Sequence, residues 1–170
     1  PQPLLDELRQ RLLEPPACTP HCADVSRLEL AATPDQLRLI MRVHAAADTA
    51  IPLPSTLETW RPGRILLNNQ PVKRLSRDER GALWMVVPQG VHRVKMIGSP
   101  GNSDEIRLSF PIRPHVGTYA GVGWQARGFE ADGTMDATIS LIRTATGGLA
   151  RPAIPKTDIG AYFQVIRTLH

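Results

Sequence analysis

The sequence is poor in aromatic side chains, lysine and cysteine, and it holds no long apolar run. Eight aromatic residues in 170 leave little material for an aromatic-lined binding surface. Three lysines (Lys73, Lys95 and Lys156) stand against seventeen arginines, and Arg favours fixed, planar contacts to carboxylates or phosphates. These cations are dispersed among acids, as in Arg77-Asp78-Glu79-Arg80, and no basic run interleaves with aromatics. Despite the net charge of +4, this pattern argues against nucleic acid as a partner and describes a mixed-charge, solvated surface. No stretch reaches the roughly 18 apolar residues a membrane span needs. Residues 1–13 carry acids and bases where a signal peptide would have its apolar region.

Catalytic templates are missing as well. The sequence has no Gly-x-Ser-x-Gly elbow, no His-Glu-x-x-His and no phosphate-binding glycine loop. The paired acids Asp78/Glu79 and Asp104/Glu105 sit in expected turns beside basic residues. Neighbouring strand residues also face opposite ways, so these pairs cannot flank a glycosidic bond. No enzymatic activity and no cofactor is expected.

What the chain does have is alternation. Between Gln36 and Ala46, Leu37, Leu39, Met41 and Val43 fall on one face and Arg38, Arg42 and His44 on the other, the period of a half-buried strand. Similar segments run through Val25–Ala32, Ala50–Leu53, Arg64–Leu67, Ala82–Val87, Val91–Ile97, Glu105–Ile112, Gly123–Phe129, Met135–Arg143 and Gly160–Thr168. Turn residues separate them: Thr33-Pro34-Asp35-Gln36, Asn68-Asn69, Gln89-Gly90, Ser99-Pro100-Gly101-Asn102 and Asp132-Gly133. Sixteen prolines, against an average near 5%, suit many short strands with defined ends. The spacing predicts an all-β fold, an antiparallel β-sandwich of jelly-roll or Ig-like type, with one short N-terminal helix.

That helix is predicted over residues 1–13, where Leu4, Leu5, Leu8 and Leu12 form one stripe and Pro15-Pro16 forbid continuation. It is expected to cover a sheet face. The whole chain reads as one domain, 1–170: helix 1–13, cysteine loop 14–24, main sandwich 25–143, loop 144–158 and final strand 159–170. Its expected core is Leu28, Leu30, Leu37, Leu39, Met41, Val43, Val94, Met96, Leu108, Phe110, Ile139 and Leu141, each on the more apolar face of its strand.

Three sets of residues are candidates for chemistry. Cys18 and Cys22, in Cys-Thr-Pro-His-Cys, match neither a haem-attachment nor a thioredoxin-like motif. A small disulfide closing the loop is the expectation, and it would imply an oxidising compartment such as the periplasm. The alternatives are free thiols, or a metal or enzyme site at Cys18, His21 and Cys22 completed by His92 or His115. Among the histidines, His44 is expected to be solvated, and His92 half-buried with its ring hydrogen-bonded. Trp60 and Trp124, with Arg61, are the candidate glycan-binding residues, Trp60 being the best exposed. Core packing is the ordinary role of any one Trp, and Trp84 is assigned to it.

Leu83–Gly98 (LWMVVPQGVHRVKMIG), together with Glu14–Cys18 and the ending Tyr162–Leu169, resembles the N-terminal region of large uncharacterised exported proteins of Gram-negative bacteria. The resemblance implies a β-rich segment of a longer periplasmic or envelope protein and brings no catalytic residue with it. The Pro88-Gln-Gly-Val-His92 segment also resembles the hairpin corner of adhesin-type and carbohydrate-binding sandwiches. The leading expectation is a non-catalytic β-sandwich module acting as an interaction or spacer domain. Its partners would be the remainder of a longer polypeptide, another envelope protein or a glycan. The start at Pro and the abrupt end at His170 belong to the same expectation.

Overall fold

A computed structural model describes residues 4–7, 9, 22–54 and 60–144. Residues 4–7 and 9 are helical, and Leu4 and Leu5 are exposed. These two leucines of the expected stripe therefore do not cover a sheet face. Leu8 and Leu12, Cys18, His21 and the expected loop and final strand beyond residue 144 lie outside the described residues.

Twelve strands follow: β1 (Ala23–Ala32), β2 (Leu37–Ala45), β3 (Thr49–Leu53), β4 (Arg64–Leu67), β5 (Gln70–Pro71), β6 (Leu75–Arg77), β7 (Leu83–Val87), β8 (Gly90–Gly98), β9 (Glu105–Ser109), β10 (Val116–Gly121), β11 (Trp124–Phe129) and β12 (Met135–Arg143). They form a six-stranded sheet, β10-β1-β2-β8-β4-β5, and two three-stranded sheets, β11-β12-β9 and β3-β7-β6. The fold is all-β and sandwich-like, around one cluster of buried side chains. All twelve expected core residues are in that cluster.

The sequence period explains the burial, with one local exception. In β2, Leu37, Leu39, Met41, Val43 and Ala45 point inward without a break. In β1 the buried positions are Ala23 and Val25, then Leu28, Leu30 and Ala32. The change of phase is a bulge between Val25 and Arg27, where Ser26 is the extra residue. A bulge sets two residues against one, so both halves of β1 keep their apolar face on the core.

β10 was not legible as a strand, and it departs from the all-antiparallel expectation. It pairs with β1 in parallel, Leu28 opposite Gly117 and Leu30 opposite Tyr119. Its glycines conceal it. Gly117 is buried, and a Cβ there would come within 2.7 Å of Met135 Sδ and 2.9 Å of Phe129 Cε1. The position is a packing requirement and not a break in the strand. The short strands β5 and β6 were also missed, being two and three exposed residues long.

Two of the expected turns are corners between sheets. β7 belongs with β3 and β6, while β8 lies beside β2 and β4. The Gln89-Gly90 turn therefore carries the chain across, with Gly90 at φ 127°. The segment after β2 makes the same crossing, and Asp48 Oδ1 accepts the Gln89 N–H at 2.7 Å. The β2–β3 and β8–β7 ribbons thus turn the corner side by side, Ala45 opposite Gly90 and Thr49 opposite Val87. Ser99–Asn102 likewise leads from β8 into the β11-β12-β9 sheet.

Candidate functional site

The outer face of the six-stranded sheet is set by the residues that alternate with the core. On β1, β2 and β8 the register brings Arg27 opposite Arg42, and Arg42 opposite Arg93. Neighbouring strands stand about 4.8 Å apart, so this row of three arginines spans about 10 Å across the sheet. All three are exposed. Their guanidinium groups make no hydrogen bond or ion pair to another described residue. Like charges directly opposite on a sheet destabilise it, so the row opposes folding and is not explained by it.

The flanking rows follow from the same register. Glu29 stands opposite Ile40, and Ile40 opposite Lys95 and then Leu66. Arg38 stands opposite Ile97, itself opposite Arg64. The arginine row, Glu29, Ile40, Asn68, Val91 and His92 line a shallow depression of about 450 Å³. At its upper edge His44 Nε2 meets Ser26 Oγ at 3.0 Å, and the carboxylate of Asp24 is held by His115 at 2.9 Å. A serine beside a histidine is half of a nucleophilic pair. No carboxylate among the described residues bonds to His44.

At the lower edge Asn68 and Asn69 take positive φ, 50° and 67°, the conformation of a tight turn that Asn tolerates. Asn68 Oδ1 accepts the Arg93 N–H at 2.8 Å, and its amide lies 3.0 Å from His92 Nδ1. The other ring nitrogen of His92 lies 2.9 Å from the Pro88 carbonyl. A carbonyl only accepts, so Nε2 carries the proton and Nδ1 receives the Asn68 amide. His92 is half-buried with both nitrogens used, as expected of it, and it fixes the backbone beneath Arg93.

The residues proposed from the sequence for glycan stacking are elsewhere. Trp60, expected to be the most exposed, is 2% exposed. The Trp60-Arg61-Pro62 segment lies against Gly98, where a Cβ would stand 2.6 Å from the Arg61 carbonyl and 2.8 Å from Trp60 Nε1. The missing side chain at Gly98 is what lets the indole sink into the core. Arg61 is exposed beside it. Trp124 is fully buried, its Nε1 donating to the Thr33 carbonyl at 3.0 Å and its own carbonyl accepting from Tyr119 Oη at 2.8 Å. Neither Trp60 nor Trp124 is available to a sugar ring. Trp84, assigned to the core, is instead half-exposed and donates to Asp78 Oδ2 at 3.1 Å.

The metal alternative rests on Cys18 and His21, which lie outside the described residues. Among the described residues no three of His, Cys, Asp and Glu converge on a common point. His92 and His115, the suggested fourth ligands, already bond Asn68, Pro88 and Asp24. The arginine row was missed because its members are 15 and 51 residues apart in sequence, and only the strand register aligns them. The alternation placed each arginine on a polar face, but it carried no signal of which strands are neighbours.

No family model matches the chain, and no curated protein matches it. Among solved structures it is similar to an M1 zinc metallopeptidase from Deinococcus radiodurans, at 12% identity over 72% of this chain and 38% of that one, with a TM-score of 0.36. A mutant of that peptidase bound to a Tyr-Ser-Ala substrate gives 14% identity over 77% of this chain and 41% of that one, TM-score 0.38. The chain thus spans about two fifths of these proteins. Likenesses this distant carry no argument about activity.

Proposed function

We propose that this chain is a non-catalytic β module of a longer exported envelope protein, acting as an interaction domain through the outer face of its six-stranded sheet. The observation that carries the reading is the exposed Arg27–Arg42–Arg93 row, which costs fold stability and has no partner among the described residues. Such a row persists where something outside the domain uses it. The export and periplasmic location rest on the sequence resemblance and on a disulfide between Cys18 and Cys22. A plain spacer role would leave the arginine row unexplained.

The test is proximity. A photo-cross-linking residue in place of Ile40, at the centre of the face, should give a discrete adduct when the chain is irradiated in a cell-envelope extract. The same residue in place of Thr138, on the β11-β12-β9 sheet, should not. Equal yields at the two positions, or none at either, would overturn the interaction role. Turnover of an ester, phosphate, peptide or glycoside substrate, abolished by Ser26→Ala or His44→Ala, would overturn the non-catalytic one.

A further inference from the structure

We infer that the Arg27–Arg42–Arg93 row binds an acidic polysaccharide, a linear polyuronate with one carboxylate per sugar; this rests on the interaction role proposed above. The row offers three guanidinium forks in line, and a fork matches a carboxylate bidentately. Their separation is the strand spacing, about 4.8 Å, which is close to the advance of one pyranose unit along an extended chain. A trisaccharide stretch lying across β1, β2 and β8 would then bring its carboxylates, turned alternately about the chain axis, within reach of the three long arginine side chains.

The composition of the face selects this partner over others. Among the described residues no Trp or Phe lies on it, Trp60 and Trp124 being buried, and Tyr119 at its β10 edge is turned to bond the Trp124 carbonyl, so these residues offer nucleobases and neutral sugars no open stacking surface. Among the described residues Val91 is the only strongly exposed large apolar one there, with Ile40, Leu66 and Ile97 half-buried. A protein interface needs an apolar, fully desolvated centre, which this face does not provide. Glu29 sits inside the depression, one step from Arg27. Its carboxylate can accept hydrogen bonds from sugar hydroxyls. The Ser26 hydroxyl and His44 ring at the upper edge add neutral contacts of the same kind.

Binding of the 170-residue chain to polygalacturonate should be saturable at low ionic strength, weaken as salt is raised, and be absent with dextran. Arg42→Gln should weaken it about tenfold, the loss expected for one charge-assisted pair. It should leave the urea midpoint unchanged or higher, because it removes a repulsion. Arg107→Gln, on the β11-β12-β9 sheet and paired there with Glu105 at 2.7 Å, should leave binding unaltered. No saturable binding, or equal loss with Arg107→Gln, would overturn the inference. Tighter binding of a single-stranded oligonucleotide would assign the face to nucleic acid, and equal binding of polyglutamate would assign it to an acidic protein segment; either overturns it too. If the cross-link at position 40 persists while polygalacturonate fails to bind, the interaction role stands and only the polyuronate falls.

Discussion

The guanidinium of Arg143 lies over the indole of Trp124, its Cζ 4.5 Å from the ring centroid. The two residues are register partners at the end of the β11–β12 pair. Arg143 also donates to the Gly101 carbonyl at 2.7 Å and the Ser103 carbonyl at 3.3 Å. One side chain therefore fastens the β8–β9 corner to a fully buried tryptophan. Arg143→Ala should cost about 1–3 kcal/mol, combining a half-buried cation–π contact with lost charge-assisted hydrogen bonds. Arg143→Lys should recover less than half of it, since an ammonium cannot present the planar fork. Urea unfolding followed by Trp fluorescence checks both.

Leu39 is fully buried at the centre of β2, between Leu30 on β1 and Met96 on β8. Leu39→Ala should destabilise by about 2–5 kcal/mol, since the strands on either side leave little room for collapse. Arg38→Ala, one residue away on the outer face, should change the urea midpoint little.

Acid should loosen the β6–β7 end. Asp78 accepts from the Trp84 indole at 3.1 Å and from the backbone N–H groups of Ala82 and Arg80 at 2.9 and 3.0 Å. These bonds, the Trp84 one foremost, hold its pKa below the ordinary 3.8. A folded-state pKa below the unfolded one stabilises the fold above the ordinary value. The contribution is lost as pH falls through the folded value, below about pH 4. Asp78→Asn should flatten that acid limb, and a Trp84 emission change tracking the Asp78 titration would show it directly.

Alkali should act at the other end. Burial raises the Tyr119 hydroxyl to about 12, and this hydroxyl donates to the Trp124 carbonyl. The fold prefers the protonated phenol, so this contribution is complete below pH 10 and is lost between about 10 and 12. Phenolate absorbance should show one tyrosine ionising late and together with unfolding. Tyr119→Phe should remove that coupling and cost about 0.5–1.5 kcal/mol at neutral pH.

Intact mass without reductant should lie two hydrogens below the reduced value, reporting a Cys18–Cys22 bridge. Three intervening residues that include Pro20 can fold the α-carbons to within the roughly 4.4–6.8 Å a disulfide needs. Titration of two thiols in freshly purified, unreduced protein would refute it.

Strand positions and their inward faces were legible because a half-buried strand must alternate, and the alternation survives in the sequence even through the Ser26 bulge. Leu37 to Val43, Val94, Met96, Ile139 and Leu141 all went where their period put them. Trp60 and Trp84 did not. Their neighbours in sequence suggested exposure for Trp60, but its burial depends on Gly98, 38 positions away, having no side chain to occupy the space. β10 failed for the related reason that glycine reads locally as a breaker, whereas here it makes room for Met135 and Phe129.

The sequence by itself determined an all-β chain, its twelve principal core side chains, most of its strands and the hairpin turns at Thr33–Gln36, Asn68-Asn69 and Asp132-Gly133, because period and turn chemistry are local. Only the tertiary structure decided which strands are neighbours, where the chain crosses between sheets, and that Arg27, Arg42 and Arg93 stand in one row. Those relationships depend on pairing between segments far apart in the chain. A period of two fixes the face on which a side chain emerges, but it carries no information about what stands beside it.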